Sequence, residues 1–596
     1  MCRALSLNGR PTLVFLLPFF LSCTLLGALL ERRSGSVCHV RLLLLTAVLY
    51  HSIALGGAMT SSFPPQLSQR RPLVRTLAAA FAVACALAGI SAMTATRADS
   101  HPSNAAVQST TRTSLPAFDV VEKSIADLQS AMRSGQVTSH QLVDAYLARI
   151  RKYDQDGPHI NAFILLNPNV LAAADALDAE RRSKGPRGML HGIPIVVKDN
   201  YVTADMPTTG GSKALAGFES GRDAFMVKKL RDAGAVIIGK TNLHELAYGI
   251  TTISSMGGQT RNPYDPTRNP GGSSGGTGAA VAANFAAAGM GTDTCGSIRI
   301  PSANNNLVGL RGTRGLSSRN GIIPLALTQD IGGPLARTVS DLSIMLDATV
   351  GADPDDPATA AGDGHIPPSY VASLSDRNLR GTRIGILTSL FGTAPEDQEV
   401  AALVRKAIGT FSSNGIEVVD AAVPGLDDLM QGTSVINAEF KFQLMDFLQQ
   451  YPKAPVHSLA EILSSGRYDP AVEGVFKRSE AVESRDSETY RASLEKRKKV
   501  RDAVLLAMKD NHLSAFAYPT LRRKAAPIGQ PQGGSNCQLS ATTDLPAMAV
   551  PAGFTEEGVP VGFELLGEPF SEATLLRIAY TYEQSVKPRR APKSTP

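Results

Sequence analysis

The sequence predicts an α/β protein, because short apolar runs of strand length alternate with longer stretches that have helical spacing. Three such runs are IPIVV at 193–197, AVIIG at 235–239 and TRIGILT at 382–388. They are continuously apolar, which is typical of strands buried on both faces of a sheet. With 596 residues, 43% of them hydrophobic and 19% charged, the chain can bury a large core.

The clearest helix signal lies near the start of the predicted folded domain. Thr138 and Gln141 match a capping box, and Leu142, Tyr146 and Ile150 follow at helical spacing. Further on, residues 437–511 are largely helical in pattern and rich in charge, so we expect them to form an outer cap.

The first 98 residues differ in composition from the rest of the chain. They hold nine basic residues and one acid, Glu31, which leaves 50 basic and 52 acidic residues in the remainder. A body without a basic surplus lacks the electrostatic footprint of a nucleic-acid binder, so no nucleic-acid partner is predicted.

Residues 59–98 have the layout of a signal peptide, with Arg70, Arg71 and Arg75 before an apolar run and a small, polar end. The arginine pair also resembles a twin-arginine signal, and both export routes remain open. Residues 1–58 contain a run long enough to cross a bilayer and are either an over-called start or membrane segments. We expect a periplasmic or secreted protein, anchored to the membrane if residues 1–58 are real and retained.

The remaining organisation follows from composition. Residues 99–117 are polar and rich in Ser, Thr and Pro, as in a linker, and residues 118–590 are expected to form the catalytic domain. Within it, we expect substrate specificity to lie in residues 424–531, where no chemical signature reveals the substrate. Of six cysteines only Cys295 and Cys537 lie beyond the leader, and we expect two unpaired thiols.

A loop rich in glycine and serine starts at residue 271. It comprises Gly271, Gly272, Ser273, Ser274, Gly275 and Gly276. The loop lacks the lysine of a phosphate-binding loop, because Thr277 follows Gly276. Ser274 fits the G-x-S-x-G nucleophile elbow, but the preceding RNPYDPTRNP cannot be the central strand that an elbow requires.

Two weaker motifs have structural explanations. Ser493 and Lys496 match S-x-x-K, but they lie in a charged helical stretch with Arg497, which favours a solvated helix face. His244 and Glu245 begin a zinc H-E-x-x-H motif whose second histidine is absent, so no metal is predicted.

Lys198 ends the apolar run IPIVVK, where burial would disfavour its charged form. A neutral lysine can remove a proton from a serine hydroxyl, whereas a lysine at an exposed strand end cannot. Downstream, TDTCGSIRIP places Ser297 in a compact turn whose backbone N–H groups could face a developing oxyanion. Lys198 with two downstream serines therefore predicts a serine hydrolase site.

Several longer segments point the same way. They are GMLHGIPIVVKDN (188–200), PTTGGSKAL (207–215), GAVIIGKTNLHELAYG (234–249), NPGGSSGGTGAAVAA (269–283), GTDTCGSIRIPS (291–302), VGLRGTRGLSS (308–318) and DIGGPLARTVSDL (330–342). Together they resemble the amidase signature family of serine amidohydrolases, over about residues 118–585. The resemblance implies a central mixed, twisted β-sheet flanked by α-helices on both faces, and no cofactor.

The resemblance also implies residue roles. Ser297 would be the nucleophile, Ser273 the bridging serine on a cis peptide, and Lys198 the base, with Ser274 as the alternative bridging serine. The backbone amides of Thr294, Cys295, Gly296 and Ser297 would form the oxyanion hole. Two positions depart from the family pattern: Cys295 stands where many members have Gly, and Glu564 where Gln is frequent. Because no histidine lies near Cys295 in sequence, we expect Cys295→Ala to retain most activity.

The expected function is therefore hydrolysis of a small-molecule carboxamide to a carboxylate and ammonia or an amine. The alternatives are an A-type amidotransferase component that acts on misacylated tRNA, and a non-catalytic, membrane-tethered binding protein. No motif separates aliphatic, aryl and peptide amides, and none indicates an oligomeric state.

Overall fold

The computed structural model describes residues 118–596, and the predicted leader, signal peptide and linker (residues 1–58, 59–98 and 99–117) lie outside the described residues. The strands, in chain order, are β1 Phe163–Leu166, β2 Pro194–Lys198, β3 Val236–Thr241, β4 Ile253–Ser254, β5 Gly258–Gln259, β6 Ala288–Asp293, β7 Val308–Arg311, β8 Ile331–Ala336, β9 Arg383–Leu387, β10 Glu417–Ala421, β11 Ala515–Pro519, β12 Ala547–Phe554 and β13 Pro560–Leu566.

Helices fill most of the connections between these strands. The α-helices are α1 Ile125–Arg133, α2 Ser139–Ile150, α3 Val170–Lys184, α4 Phe225–Asp232, α5 Gly275–Ala282, α6 Arg299–Asn304, α7 Val339–Thr349, α8 Tyr370–Ser373, α9 Gln398–Gly409, α10 Leu426–Met430, α11 Ile436–Gln449, α12 Leu459–Ser465, α13 Glu473–Glu480, α14 Glu488–Asp510, α15 Gln538–Thr543 and α16 Glu572–Val586. The predicted capping box is present at the start of α2, and Leu142, Tyr146 and Ile150 are buried.

Eleven of the strands form one sheet in the order β1-β3-β2-β6-β8-β7-β12-β13-β11-β9-β10. β2 runs parallel to both β3 and β6, whereas β8, β7, β12 and β13 pair antiparallel with their neighbours. The sheet is therefore mixed, and with its flanking helices it confirms the predicted fold class. The three apolar runs at 193–197, 235–239 and 382–388 correspond to β2, β3 and β9.

Every residue of β2, β3 and β6 is buried. α5 packs against β2 and β6, and all eight of its residues, GGTGAAVA, are themselves buried. Small side chains allow this close approach: a Cβ on Gly276 would lie 2.3 Å from the Asn242 carbonyl oxygen. The glycine-rich loop that precedes α5 is thereby held against the carboxyl ends of the central parallel strands.

The predicted cap region contains α11, α12, α13 and α14. α14 packs against both α10 and α15, so it contacts the body of the domain. Among residues 118–596, no helix combines the length and the apolar character that a membrane span requires.

Candidate active site

The parallel pairing of β2 with β6 brings the predicted lysine to the turn that carries Ser297. Val197 pairs with Met290, so Lys198 lies beside the last residues of β6. Its Nζ is 2.7 Å from Ser273 Oγ and 2.7 Å from Thr292 Oγ1. Asn200 Nδ2 also donates to Thr292 Oγ1, at 3.0 Å. Thr292 thus accepts from both Lys198 and Asn200, a role that the sequence did not reveal.

Lys198 is fully buried, and burial lowers the pKa of its amine from 10.5 to about 7, against the opposing effect of the carboxylates of Asp293 and Asp330. The His244 imidazole is buried too; burial, assisted by Lys198, lowers its pKa to about 4. A large fraction of Lys198 is therefore neutral near pH 7, and a neutral amine can accept the proton of the Ser273 hydroxyl.

The glycine-rich loop presents Ser273 to this lysine. The Gly272–Ser273 peptide bond is cis, and Gly271 has φ +77°, a left-handed conformation that favours glycine. The backbone N–H of His244 donates to the Ser273 carbonyl at 3.0 Å. Ser273 is fully buried, so its hydroxyl is enclosed with Lys198.

Ser274 points elsewhere. Its hydroxyl donates to the Thr292 carbonyl at 3.1 Å and accepts from the Thr292 N–H at 3.2 Å. Its backbone N–H donates to the Ser297 carbonyl at 3.2 Å, which ties the loop to the turn. Of the two adjacent serines, Ser273 is the one whose hydroxyl contacts Lys198.

The turn 294–297 follows β6 directly, and within the part of the chain that the structure describes its four backbone N–H groups donate to no protein acceptor. Thr294 is fixed on two sides, because its hydroxyl donates to Asp330 at 2.5 Å and its carbonyl accepts from Gln329 Nε2 at 2.9 Å. Ser297 is 4% exposed. The turn thus combines available donors with a fixed backbone, as an anion-binding turn requires.

A buried charge network lies beneath this turn. Arg299 donates to Asp293 at 3.1 Å and to Glu564 at 2.6 Å, and all three side chains are fully buried. Arg311 contacts the same aspartate at 3.2 Å. Burial raises the pKa of Asp293, but Arg299 and Arg311 hold it below its usual range. Asp293 in turn accepts from the Ile298 N–H at 3.1 Å, which supports the start of the helix after the turn.

This network was missed from the sequence, although it had one signal. Arg299 lies between Ile298 and Ile300 in an otherwise small and apolar stretch, where a charged side chain needs a buried partner. Glu564, singled out as a departure from the family pattern, is one of the two acidic partners of Arg299, with Asp293. It occupies a fully buried position behind the turn.

The expectation of two unpaired thiols is wrong. Cys295 and Cys537 form a disulfide across 242 residues, with their Cα atoms 5.1 Å apart. Cys537 immediately precedes α15, and Ile250, Ile300 and Leu521 pack around the pair. The chain path brings the two cysteines together, which their spacing along the sequence could not indicate.

Arg497 also differs from expectation. It was predicted on a solvated face, yet it is 5% exposed and donates to Gln329 Oε1 at 2.8 Å and to the Ala541 carbonyl at 2.7 Å. The neighbouring Ser493 hydroxyl donates to the Thr489 carbonyl within α14. The S-x-x-K motif is therefore part of a helix that supports the site region.

The mixed sheet, the buried lysine and the two serine-bearing loops define an α/β protein with a candidate serine–lysine site. A family model described as Amidase matches residues 141–576. A probable amidase from Arabidopsis thaliana is 35% identical over 499 residues, covering 80% of this chain and 92% of that protein. The chain belongs to the amidase signature family.

Two further comparisons indicate the range of activities among its relatives. The A-type component of the glutamyl-tRNA(Gln) amidotransferase from Halorhodospira halophila is 34% identical over 482 residues, covering 78% of this chain and 97% of that protein. The native peptide amidase from Stenotrophomonas maltophilia superposes with a TM-score of 0.75 at 37% identity, covering 80% of this chain and 99% of that one. One of these relatives is thus part of an amidotransferase and the other is a peptide amidase.

Proposed function

We propose that this protein hydrolyses a carboxamide through an acyl-enzyme on Ser297, with Ser273 as the bridging serine and Lys198 as the base. The observation that carries the proposal is the position of the fully buried Lys198 amine, 2.7 Å from Ser273 Oγ. Ser273 lies in a loop that is itself hydrogen-bonded to the Ser297 backbone. Because burial lowers the pKa of the amine to about 7, about half of it is neutral near pH 7, which is the form a base requires.

In the first half-reaction the Ser297 hydroxyl attacks the amide carbonyl carbon and passes its proton to Ser273, whose own proton moves to Lys198. The tetrahedral oxyanion is held by backbone N–H groups among Thr294, Cys295, Gly296 and Ser297. The C–N bond then breaks, and the proton returns from Lys198 through Ser273 to the leaving amine. Water next attacks the acyl-enzyme by the same proton route, releasing the carboxylate and restoring Ser297.

The donors of the turn make this arrangement productive. Thr294, the first residue of the turn, is already fixed by Asp330 and Gln329, so the start of the turn needs little reorganisation when the oxyanion forms. Loss of one such donor typically costs roughly 10²–10³ in kcat.

Hydrolysis is favoured over transamidation on charged tRNA because the chain beyond the leader has no basic surplus. The Cys295–Cys537 disulfide supports an exported enzyme, since such bonds persist mainly in oxidising compartments. We propose that residues 59–98 direct this export. Amino-terminal sequencing of the natural product would test it, and a start at Met1 would contradict removal of a signal peptide.

The proposal is tested by treating the full chain with a fluorophosphonate and locating the adduct by peptide mass spectrometry. We expect the adduct on Ser297, and its loss in Lys198→Ala and Ser273→Ala. Ser274→Ala is the matched control and should still be labelled. An adduct on Ser274, or none on folded protein, would overturn the proposed roles.

Turnover on a panel of aliphatic, aryl and peptide amides then addresses the substrate. The peptide amide is included because a peptide amidase is among the structural relatives. Amide nitrogen release that required ATP and a copurifying partner protein would instead favour the amidotransferase alternative. If the folded protein neither turned over any amide of the panel nor reacted with the fluorophosphonate, a binding function would be favoured.

A further inference from the structure

The turn 294–297 is connected to one short helix in two independent ways. The first is covalent, because Cys295 in the turn is bonded to Cys537, the residue that precedes α15. The second is polar and runs through Arg497, which donates to the Ala541 carbonyl of α15 and to the Gln329 side-chain oxygen. The Gln329 side-chain amide in turn donates to the Thr294 carbonyl. α15 is therefore a common anchor for two adjacent residues of the turn.

The covalent connection acts at the centre of the turn. A Cβ on Gly296 would lie 2.6 Å from Cys537 Cβ, so the disulfide packs directly against Gly296 as well as bonding its neighbour. Arg299 completes the contact by donating to both the Cys295 and the Cys537 carbonyls. Thr294 has its own fixing contacts to Asp330 and Gln329, and the Gly296 carbonyl accepts from the Ile300 N–H at 2.7 Å. Cys295, between them, is held by the disulfide through its side chain and by Arg299 through its carbonyl.

We propose that the Cys295–Cys537 disulfide is a positioning element of the oxyanion turn, and that its reduction lowers kcat. The inference rests on the proposed function, in which the N–H groups of Cys295 and Gly296 stabilise the transition state. Without the bond, Cys295 is no longer tied covalently to the start of α15 and Cys537 is free to move away from Gly296, so the two N–H donors lose part of their fixed direction. Arg299 retains both carbonyls, so the turn stays folded and substrate binding changes little.

The redox step is an ordinary thiol–disulfide exchange. A thiolate of an added dithiol attacks one sulfur of the bond and forms a mixed disulfide; its second thiol then releases the enzyme. The reductant loses two electrons and becomes a cyclic disulfide, and Cys295 and Cys537 become thiols. Cys295 is partly exposed and Cys537 is 8% exposed, so attack is expected on the Cys295 side of the pair.

The experiment compares the full chain before and after dithiothreitol, measuring kcat and KM for amide hydrolysis and the rate of fluorophosphonate labelling of Ser297. We expect kcat to fall about tenfold with KM nearly unchanged, since small misplacement of catalytic groups costs up to about 10²-fold. Reoxidation with oxidised glutathione should restore kcat. Alkylation before and after treatment, read on the peptides containing Cys295 and Cys537, reports the state of this pair apart from the leader cysteines.

The double variant Cys295→Ala/Cys537→Ala is the matched control. It should have the reduced kcat without treatment and should not respond to dithiothreitol, while circular dichroism shows an unchanged fold. This replaces the expectation, drawn from sequence, that Cys295→Ala retains most activity. If both cysteines become alkylated and kcat is unchanged, or if they are alkylated before reduction, the inference is wrong. Absence of turnover and of Ser297 labelling in the oxidised protein would instead refute the proposed function.

Discussion

Replacing Lys198 with methionine tests the central electrostatic feature of the site independently of activity. Lys198 is fully buried, and its pKa is lowered from 10.5 to about 7 by burial. Between these two values the unfolded chain binds a proton that the folded chain does not. The stability of the folded state therefore rises with pH across the window from about 7 to 10.5, and the penalty from Lys198 is complete below about pH 7.

The magnitude follows from the size of the pKa change. At about 1.4 kcal/mol for each pKa unit, the complete penalty is about 5 kcal/mol. The penalty is about 4 kcal/mol at pH 7 and about 2 kcal/mol at pH 9, because the free energy that the unfolded chain gains by binding the proton falls as the pH approaches 10.5. Methionine carries no charge, so Lys198→Met removes this penalty at both values.

Lys198→Met also removes the contacts with Ser273 and Thr292, which affects stability similarly at both pH values. The change in relative stability between pH 7 and pH 9 therefore reports only the titration of Lys198. We expect the variant's stability relative to wild type to be about 2 kcal/mol more favourable at pH 7 than at pH 9.

The assay is urea unfolding followed by far-ultraviolet circular dichroism, because the chain has no tryptophan for fluorescence. Lys228→Met, at a side chain that is 66% exposed, controls for the loss of one positive charge. Equal relative stability of Lys198→Met at pH 7 and pH 9 would refute the lowered pKa of Lys198.

Three further outcomes are expected. Because the neutral amine is the base, kcat/KM should rise with pH through about 7 and be about tenfold below its plateau at pH 6; a profile flat from 6 to 8 would contradict this. Ser274→Ala should lower the free energy of unfolding in urea by about 1–3 kcal/mol, because the buried Thr292 N–H and carbonyl lose their hydrogen-bond partner. Labelling of Ser297 should persist in this variant, and its loss in folded protein would argue for a catalytic Ser274. Arg299→Met should cost about 3–5 kcal/mol, because the buried Glu564 loses its ion-pair partner and Asp293 keeps only Arg311. Adding Glu564→Gln should recover part of this cost; no recovery would mean that Arg299 and Glu564 are not coupled.

Local features of the site could be predicted because each depends on a short stretch of chain. The apolar run before Lys198 determines a buried strand, and burial determines the direction of its pKa. The small side chains of residues 275–282 permit α5 to approach β2 and β6 closely. The family pattern separated Ser273 from Ser274, which composition alone left open, and the contact between Ser273 and Lys198 agrees with that choice.

Several sheet partners could not be predicted, because strand pairing depends on the path of the whole chain. β7 pairs with β12, although more than 200 residues separate them, and β11 pairs with β9 and β13. The composition of an apolar run does not show which other strand it pairs with. The parallel pairing of β2 and β6, which brings Lys198 to the turn, was likewise set by the tertiary fold.

By itself, the sequence determined the fold class, the family and the residues that could carry the chemistry, because these depend on local composition and on motif spacing. Only the tertiary structure decided what holds the turn in place. The Cys295–Cys537 disulfide, the Arg299–Glu564 ion pair and the Arg497–Gln329 hydrogen bond join residues 242, 265 and 168 positions apart. Buried charges and thiols acquire their partners only when the chain folds, so their pairing is a property of the packed core.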